Sequence, residues 1–290
     1  MAGNVPYFHD RDGVIWMDGQ MVDWRAANIH VLTHGLHYGS AVFEGLRAYD
    51  GKIFKLKEHT ERLFKSADIL DMEIPFTMDE INAACEAAIK ENKITNGYLR
   101  PVVWRGSEQM GIAAPGARIR AAVAAWEWPS YFDARDTGIV LKTGPWKRPP
   151  PECAPCQAKA AGLYMIGTLS KHMVDKQGAN EALMLDWRGQ VTEATSSNIF
   201  LMYDGEVHTP IPDCFLNGIT RQTVIKLAKD AGLKVIERAI WPDELAKADE
   251  VFLTGTAVEV TPVRQIDDNH YTVGPITKKL RDAYEALVRA

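Results

Sequence analysis

The spacing of apolar positions changes along the chain, and each change predicts an element. Val14 to Trp24, VIWMDGQMVDW, reads as two short strands around Asp18-Gly19, a dipeptide that favours a hairpin turn. Asn28 to Arg47, NIHVLTHGLHYGSAVFEGLR, is dense in glycine and aromatics, and Asp50-Gly51 makes another turn. From Phe54 to Leu70 the period becomes helical, with Leu56, Leu63, Phe64, Ala67 and Leu70 roughly on one face. Met78 to Glu91 predicts a second helix, closing near Asn96-Gly97. Tyr98 to Trp104, YLRPVVW, is strand-like, and Pro101 marks it as irregular or near an edge. Ile119 to Trp126 is a further apolar strand, and 129–138 is polar and turn-rich.

The second half continues with a strand at Ile139 to Lys142 and a proline run, Pro149 to Pro151. Between Gln157 and Phe200 lie a helix-like segment and two strand-like ones. A hairpin turn follows at Asp204-Gly205, then a helix from Gly218 to Gly232 with a glycine at each end, and a strand with a loop from Glu250 to Val263. No internal repeat or low-complexity tract is present. Hairpins mixed with helices in both halves predict an α+β (mixed α/β) fold, not a regular βαβ alternation.

A chain of 290 residues exceeds what one core usually holds, so two domains are expected, 1–128 and 139–290, joined by a linker at 129–138. A formal net charge of -5 argues against nucleic acid or an anionic membrane as partner. No apolar run approaches a membrane span. The start, MAGNVPYFHDRDG, lacks the basic and apolar parts of a signal peptide. Four cysteines are too few for a disulfide framework in a chain this long, and a cytoplasmic protein is the expectation.

Several groupings invite chemistry. His30, His34 and His37 look like metal ligands, but Gly35 weakens any helix that would align them, and no metal is expected. Cys153 and Cys156 have redox spacing without a second pair or a thioredoxin-like context, so ordinary thiols are expected. GxxxxGK[ST] and GxGxxG are both absent. Lys159 lies among Ala158, Ala160, Ala161 and Gly162, which leaves room beside it for something flat, and lysine forms Schiff bases with carbonyl cofactors. A plain surface lysine is the competing reading. The glycine turn before Ile219 and Thr220 points helix amides outward as an anion site, although most such helix starts bind nothing. Gly255-Thr256-Ala257 is a second such turn, and Arg62 is a candidate guanidinium.

HGLHYGSAVFEGLR, EHTERLFKSA, YLRPVV, AKAAGLY, ANEALMLDWRGQVTEATSSNIF, NGITRQTVIKLA and DEVFLTGTAVEVTPV, in this order, resemble branched-chain amino-acid aminotransferases, of the fold type IV pyridoxal-phosphate enzymes. The likeness runs from about residue 12 to the C-terminus. It implies a small N-terminal α/β domain, a larger C-terminal pseudo-barrel domain and pyridoxal 5'-phosphate between them. By the same resemblance Lys159 holds the cofactor and moves the proton, Glu193 faces the pyridine nitrogen, and Tyr164 bonds the phenolic oxygen. Arg62, Ile219, Thr220 and Thr256 match the phosphate site. Tyr98, Thr256 and Ala257 match the α-carboxylate site, and Arg100 matches the receiver of glutamate's distal carboxylate. Phe43, Trp128 and Tyr131 match apolar walls, while Tyr38, Met110 and Ile112 match residues at or beside a neighbouring subunit, which implies a homodimer or a higher homo-oligomer.

The implied reaction moves amino groups between L-leucine, L-isoleucine or L-valine and 2-oxoglutarate. Three departures bear on substrate range: Ser196-Ser197-Asn198 after the acid, Asn217 where proline is common, and a further guanidinium at Arg105. A D-amino-acid or (R)-amine transaminase, or an aminodeoxychorismate lyase, is the alternative within the fold.

Overall fold

The computed structural model describes residues 7–128 and 134–290. Its first hairpin, β1 (Val14–Met17) with β2 (Gln20–Asp23), turns at Asp18-Gly19 with positive φ at both residues, as the Asp-Gly pair favours. A short helix α1 (His34–Tyr38) leads to β3 (Ala41–Phe43), β4 (Leu46–Tyr49) and β5 (Lys52–Ile53). Helices α2 (Leu56–Ile69) and α3 (Met78–Glu91) follow, then the long strands β6 (Gly97–Arg105) and β7 (Ile119–Glu127). The seven strands form an antiparallel sheet in the order β2-β1-β7-β6-β4-β5, with β3 also beside β6.

Period-two alternation divides β6 between two faces. Leu99 and Val103 pack with Val123 and Ala125 of β7 against Leu63 and Ala67 of α2 and Ile81, Ala84 and Ala88 of α3. Tyr98 and Arg100 therefore stand on the other face. Pro101 corrects the edge expectation, because β6 is interior to the sheet. Pro101 falls where the neighbour on one side changes from β4, paired at Leu99, to β3, paired at Val102, so its missing N–H coincides with a break in the ladder.

The second run of elements comprises β8 (Ile139–Arg148), α4 (Met165–Lys176), β9 (Glu181–Asp186), β10 (Val191–Ala194), β11 (Asn198–Tyr203) and β12 (Glu206–Thr209). After these come α5 (Ile219–Asp230), β13 (Val235–Glu237), β14 (Glu250–Gly255), β15 (Glu259–Ile266), β16 (Asn269–His270) and α6 (Pro275–Val288). Strand order is β10-β9-β8-β15-β14-β11-β12-β13, and β10 also pairs with β11, which closes the sheet on itself as a barrel. Strand β8 runs six residues beyond the predicted end at Lys142. Its pairing with β9 shifts register between Thr143 and Lys147, which interrupts the alternation that marks a strand in sequence.

The chain divides into two compact units, Met1–Pro129 with Ala158–Gly162, and Ser130–Gln157 with Leu163–Ala290. No described helix is long and apolar enough to cross a membrane. Helix α3 starts on a complete capping box: the Thr77 side chain accepts from the Glu80 amide, and the Glu80 carboxylate accepts from the Thr77 amide at 2.7 Å. Thr77→Ala is expected to cost about 1 kcal/mol, read as a lowered urea midpoint with unchanged m.

Candidate active site

In the first unit Lys159 is held by its backbone. Its amide donates to Ser66 Oγ at 3.0 Å, its carbonyl accepts from the Phe43 amide at 3.1 Å, and Ala160 bridges Val42 of β3. Ser66 lies on α2 four residues after Arg62 and seven after His59, a spacing that places all three on one helical face. That face meets the β3–β4 connection, where Glu44 is completely buried.

Glu44 gathers the other two side chains. Arg62 donates to it from Nε at 2.6 Å and from Nη2 at 2.8 Å, and His59 Nδ1 lies 2.7 Å away. Burial alone would raise the Glu44 carboxyl, but the Arg62 guanidinium, aided by His59, holds it far below the usual carboxylate range. Burial depresses His59 below its ordinary value even beside that carboxylate, so the ring donates its Nδ1 proton as a neutral imidazole.

The wall beside Lys159 is aromatic and cationic. Lys159 Nζ stands 5.0 Å from the Phe43 ring centre, and the Arg100 guanidinium 4.6 Å from the same ring. Arg100 Nη2 donates to the Tyr98 hydroxyl at 3.2 Å, and its buried Nε has no acceptor among the described residues. Tyr98 packs 5.3 Å from Trp128, whose carbonyl accepts from Arg47. Gly45 permits the approach, since a Cβ there would lie 1.9 Å from the Tyr98 hydroxyl. Of the expected substrate residues, Phe43, Tyr98, Arg100 and Trp128 are thus brought together, and Tyr131 lies outside the described residues. Tyr38, Met110 and Ile112 form a separate exposed group. His34 ties them, stacking on Tyr38 at 4.6 Å and reaching Ser40 Oγ through Nδ1 and the Gly111 carbonyl through Nε2.

In the second unit Glu193 is buried on β10 and pairs with Arg148 Nη2 at 3.0 Å. Arg148 also donates to the Thr195 carbonyl, and the Thr195 hydroxyl donates to Glu181. Asn198, directly opposite Glu193 in the β10–β11 pairing, donates to it at 3.3 Å and to the Leu216 carbonyl at 3.0 Å, while accepting from the Gly218 amide. It therefore joins the acid to the start of α5. There Ile219 and Thr220 are buried in the first turn of α5, and their amides have no acceptor among the described residues. Such orphan amides at a helix N-terminus suit an anion. Thr256 and Ala257 form the β14–β15 turn, with the neighbouring Gly255 facing Ser197. Tyr164 precedes α4 and lines a cavity of about 230 Å³ with Lys171, His172 and Ser196.

Glu44, His59, Ser66, Arg148 and Asn198 were not identified as site residues by sequence reasoning. Glu44, His59, Ser66 and Asn198 do fall within the quoted family segments, whereas Arg148 before the prolines gives no signal. His30 Nδ1 accepts a backbone amide and His37 Nε2 meets a backbone carbonyl; among the described residues no His, Cys, Asp or Glu group is arranged for a metal. All four thiols are free, and Cys156 is buried beside Cys214, burial raising both thiols above their ordinary values.

The family model described as amino-transferase class IV matches residues 41–266, and the chain belongs to that family. It is 46% identical over 288 residues to a branched-chain-amino-acid aminotransferase of Pseudomonas aeruginosa, covering 96% of this chain and 94% of that protein. Among solved structures, a T.th. branched-chain amino acid aminotransferase with pyridoxamine 5'-phosphate superposes with a TM-score of 0.93 at 40% identity, covering 97% and 96% of the two chains. The same enzyme complexed with N-(5'-phosphopyridoxyl)-L-glutamate gives 0.92 at 40% identity, covering 96% and 95%. The fold is that of the fold type IV aminotransferases.

A Cβ on Gly218 would sit 2.3 Å from Asn198 Oδ1 and displace that amide from its hydrogen bonds. Gly218→Ala is expected to cost about 1–3 kcal/mol, checked by a fall in the thermal midpoint.

Proposed function

We propose that this chain is a pyridoxal-phosphate-dependent branched-chain-amino-acid transaminase, exchanging amino groups between L-leucine, L-isoleucine or L-valine and 2-oxoglutarate. The observation that carries the reading is the first unit's cluster. A lysine fixed by its backbone presents Nζ to Phe43 beside a Tyr98–Arg100 pair, in a chain 46% identical to a relative of that name.

The donor set fits the cofactor. Orphan amides at Ile219 and Thr220 suit a phosphate, as does the Arg62 guanidinium, and Glu193 beside Arg148 suits a protonated pyridine nitrogen. When bound, the cofactor supplies an aldehyde carbon that takes the amino group and a ring that spreads negative charge. Lys159 Nζ holds the cofactor and then carries the proton to and from the substrate's α-carbon. Glu193 accepts from the ring nitrogen, and Tyr164 donates to the phenolic oxygen. Arg62, Ile219, Thr220 and Thr256 bind phosphate. Tyr98, Thr256 and Ala257 bind the α-carboxylate, Arg100 takes the distal carboxylate of glutamate, and Phe43, Trp128 and Tyr131 exclude water from the aliphatic side chain.

We assign the domains to 1–128 and 139–290, and place the protein in the cytoplasm, where its free thiols stay reduced. We also assign it to a homodimer or a larger homo-oligomer. Val31, Leu36, Tyr38, Met110 and Ile112 are exposed, and Leu36 lines a cavity of about 420 Å³ with Ile15, Ile29 and Trp104. Apolar surface of this kind suits association.

Purified protein is expected to turn over L-leucine with 2-oxoglutarate faster than D-alanine or (R)-1-phenylethylamine; preference for either of the latter moves the assignment to the alternative transaminases. Lys159→Ala should lower kcat by at least about 10²-fold with unchanged circular dichroism. Light scattering should give twice the chain mass or more, and Ile112→Asp should shift the population toward monomer.

A further inference from the structure

Glu44 has no role in the proposed reaction. It occupies the turn between β3 and β4, completely buried, with its amide donating to the Pro101 carbonyl and one oxygen near the Gly45 amide at 3.2 Å. An ionised carboxylate so placed costs several kcal/mol unless paired, and a buried pair seldom repays more than it costs. Stability alone therefore gives little reason for a carboxylate at this position.

The geometry of the pair suggests a reason. Arg62 meets Glu44 through Nε and Nη2, one along each carboxylate oxygen, so two parallel bonds fix both the position and the plane of the guanidinium. His59 approaches the oxygen that also takes Nη2, and fills it without adding a third positive charge beside Arg62 and Lys159. Arg62, His59 and Ser66 share one face of α2, while the Lys159 backbone is held by Ser66 and Phe43.

We propose that Glu44, backed by His59, is a positioning residue that holds the Arg62 guanidinium ready for the cofactor's phosphate. The inference rests on the reading of Arg62 as a phosphate ligand. A free arginine side chain samples many rotamers and loses that freedom when it is fixed on a ligand. Glu44 removes that freedom before the phosphate arrives, so binding the phosphate no longer costs it. Pyridoxal, which has the same ring and aldehyde but no phosphate, gains nothing from the arrangement. Glu44 therefore contributes to the preference for the phosphorylated cofactor and not to ring binding in general.

The test is the ratio of affinities for pyridoxal 5'-phosphate and pyridoxal, measured by absorbance titration of the full-length protein after its cofactor has been removed. Glu44→Gln is expected to weaken pyridoxal 5'-phosphate by about tenfold or more while pyridoxal changes by less than about twofold. Equal losses for both ligands, or no loss for either, overturn the proposal, since a purely structural Glu44 would move both together. Arg62→Ala separates the two readings. If it keeps the full preference for the phosphorylated form, Arg62 is not the phosphate ligand and the inference falls with that reading. If Arg62→Ala loses the preference and Glu44→Gln keeps it, only the inference falls. Should Glu44→Gln fail to fold, Glu44→Asp retains the charge but withdraws it by one methylene. A reduced preference then supports the proposal, and an unchanged one overturns it.

Discussion

The first unit depends on two backbone hydrogen bonds. In the proposed reaction Lys159 must bind, release and pass a proton, so its position cannot depend on contacts to its own tip and has to come from its main chain. Ser66 Oγ and the Phe43 amide supply this from opposite directions, one from a helix and one from a strand. Much of the local architecture follows. Helix α2 has to run far enough to carry His59, Arg62 and Ser66 on one face. Strand β3 has to stop at Phe43, so that the next residue turns its carboxylate toward that face instead of continuing the ladder. The break this leaves beside β6 is where Pro101 is tolerated.

A second constraint recurs in each unit separately: a buried glutamate is paired with an arginine. Glu44 has Arg62, and Glu193 has Arg148. The two pairs are braced differently. Arg62 is held by both carboxylate oxygens, and the remaining capacity of Glu44 is taken by a neutral histidine. Arg148 is anchored instead by a backbone carbonyl, that of Thr195, whose hydroxyl rests on Glu181. Burial raises the Glu181 carboxyl above its ordinary value. In both units the arginine is held by more than the acid alone or the acid by more than the arginine, so neither pair rests on a single contact.

Much of the fold is legible in the sequence because its signals are local. Asp18-Gly19, Asp50-Gly51 and Asp204-Gly205 all adopt positive φ, which is the conformation that makes such pairs turn residues. The α3 boundaries, Met78 and Glu91, follow from apolar spacing. The site is less legible, because its bonds join residues far apart in the chain. Ser66 and Lys159 are 93 positions apart, and Arg148 and Thr195 are 47 apart. No periodicity signals such pairings. Residue types alone made Lys159 a candidate, and family likeness supplied its assigned role. Ser66, which holds it, gives no such signal, because a serine within a helix is ordinary in itself.

Arg100 shows how one wall can serve two unlike substrates. A guanidinium is polar at its edges and nearly apolar on its faces, and here a face lies over Phe43 while one edge donates to Tyr98. An aliphatic side chain against this wall meets the ring of Phe43 and the flat side of the arginine, neither of which it need desolvate at great cost. On the proposed reading a distal carboxylate would meet donors along the guanidinium edge. Tyr98 is what makes this work: its hydroxyl holds the guanidinium by one nitrogen, and its ring stacks toward Trp128, which continues the apolar surface. Alternation along β6 puts Tyr98 and Arg100 on the same face, so in the proposed reaction recognition of the substrates would rest on the strand pleat, while the chemistry would rest on the lysine held at Ser66.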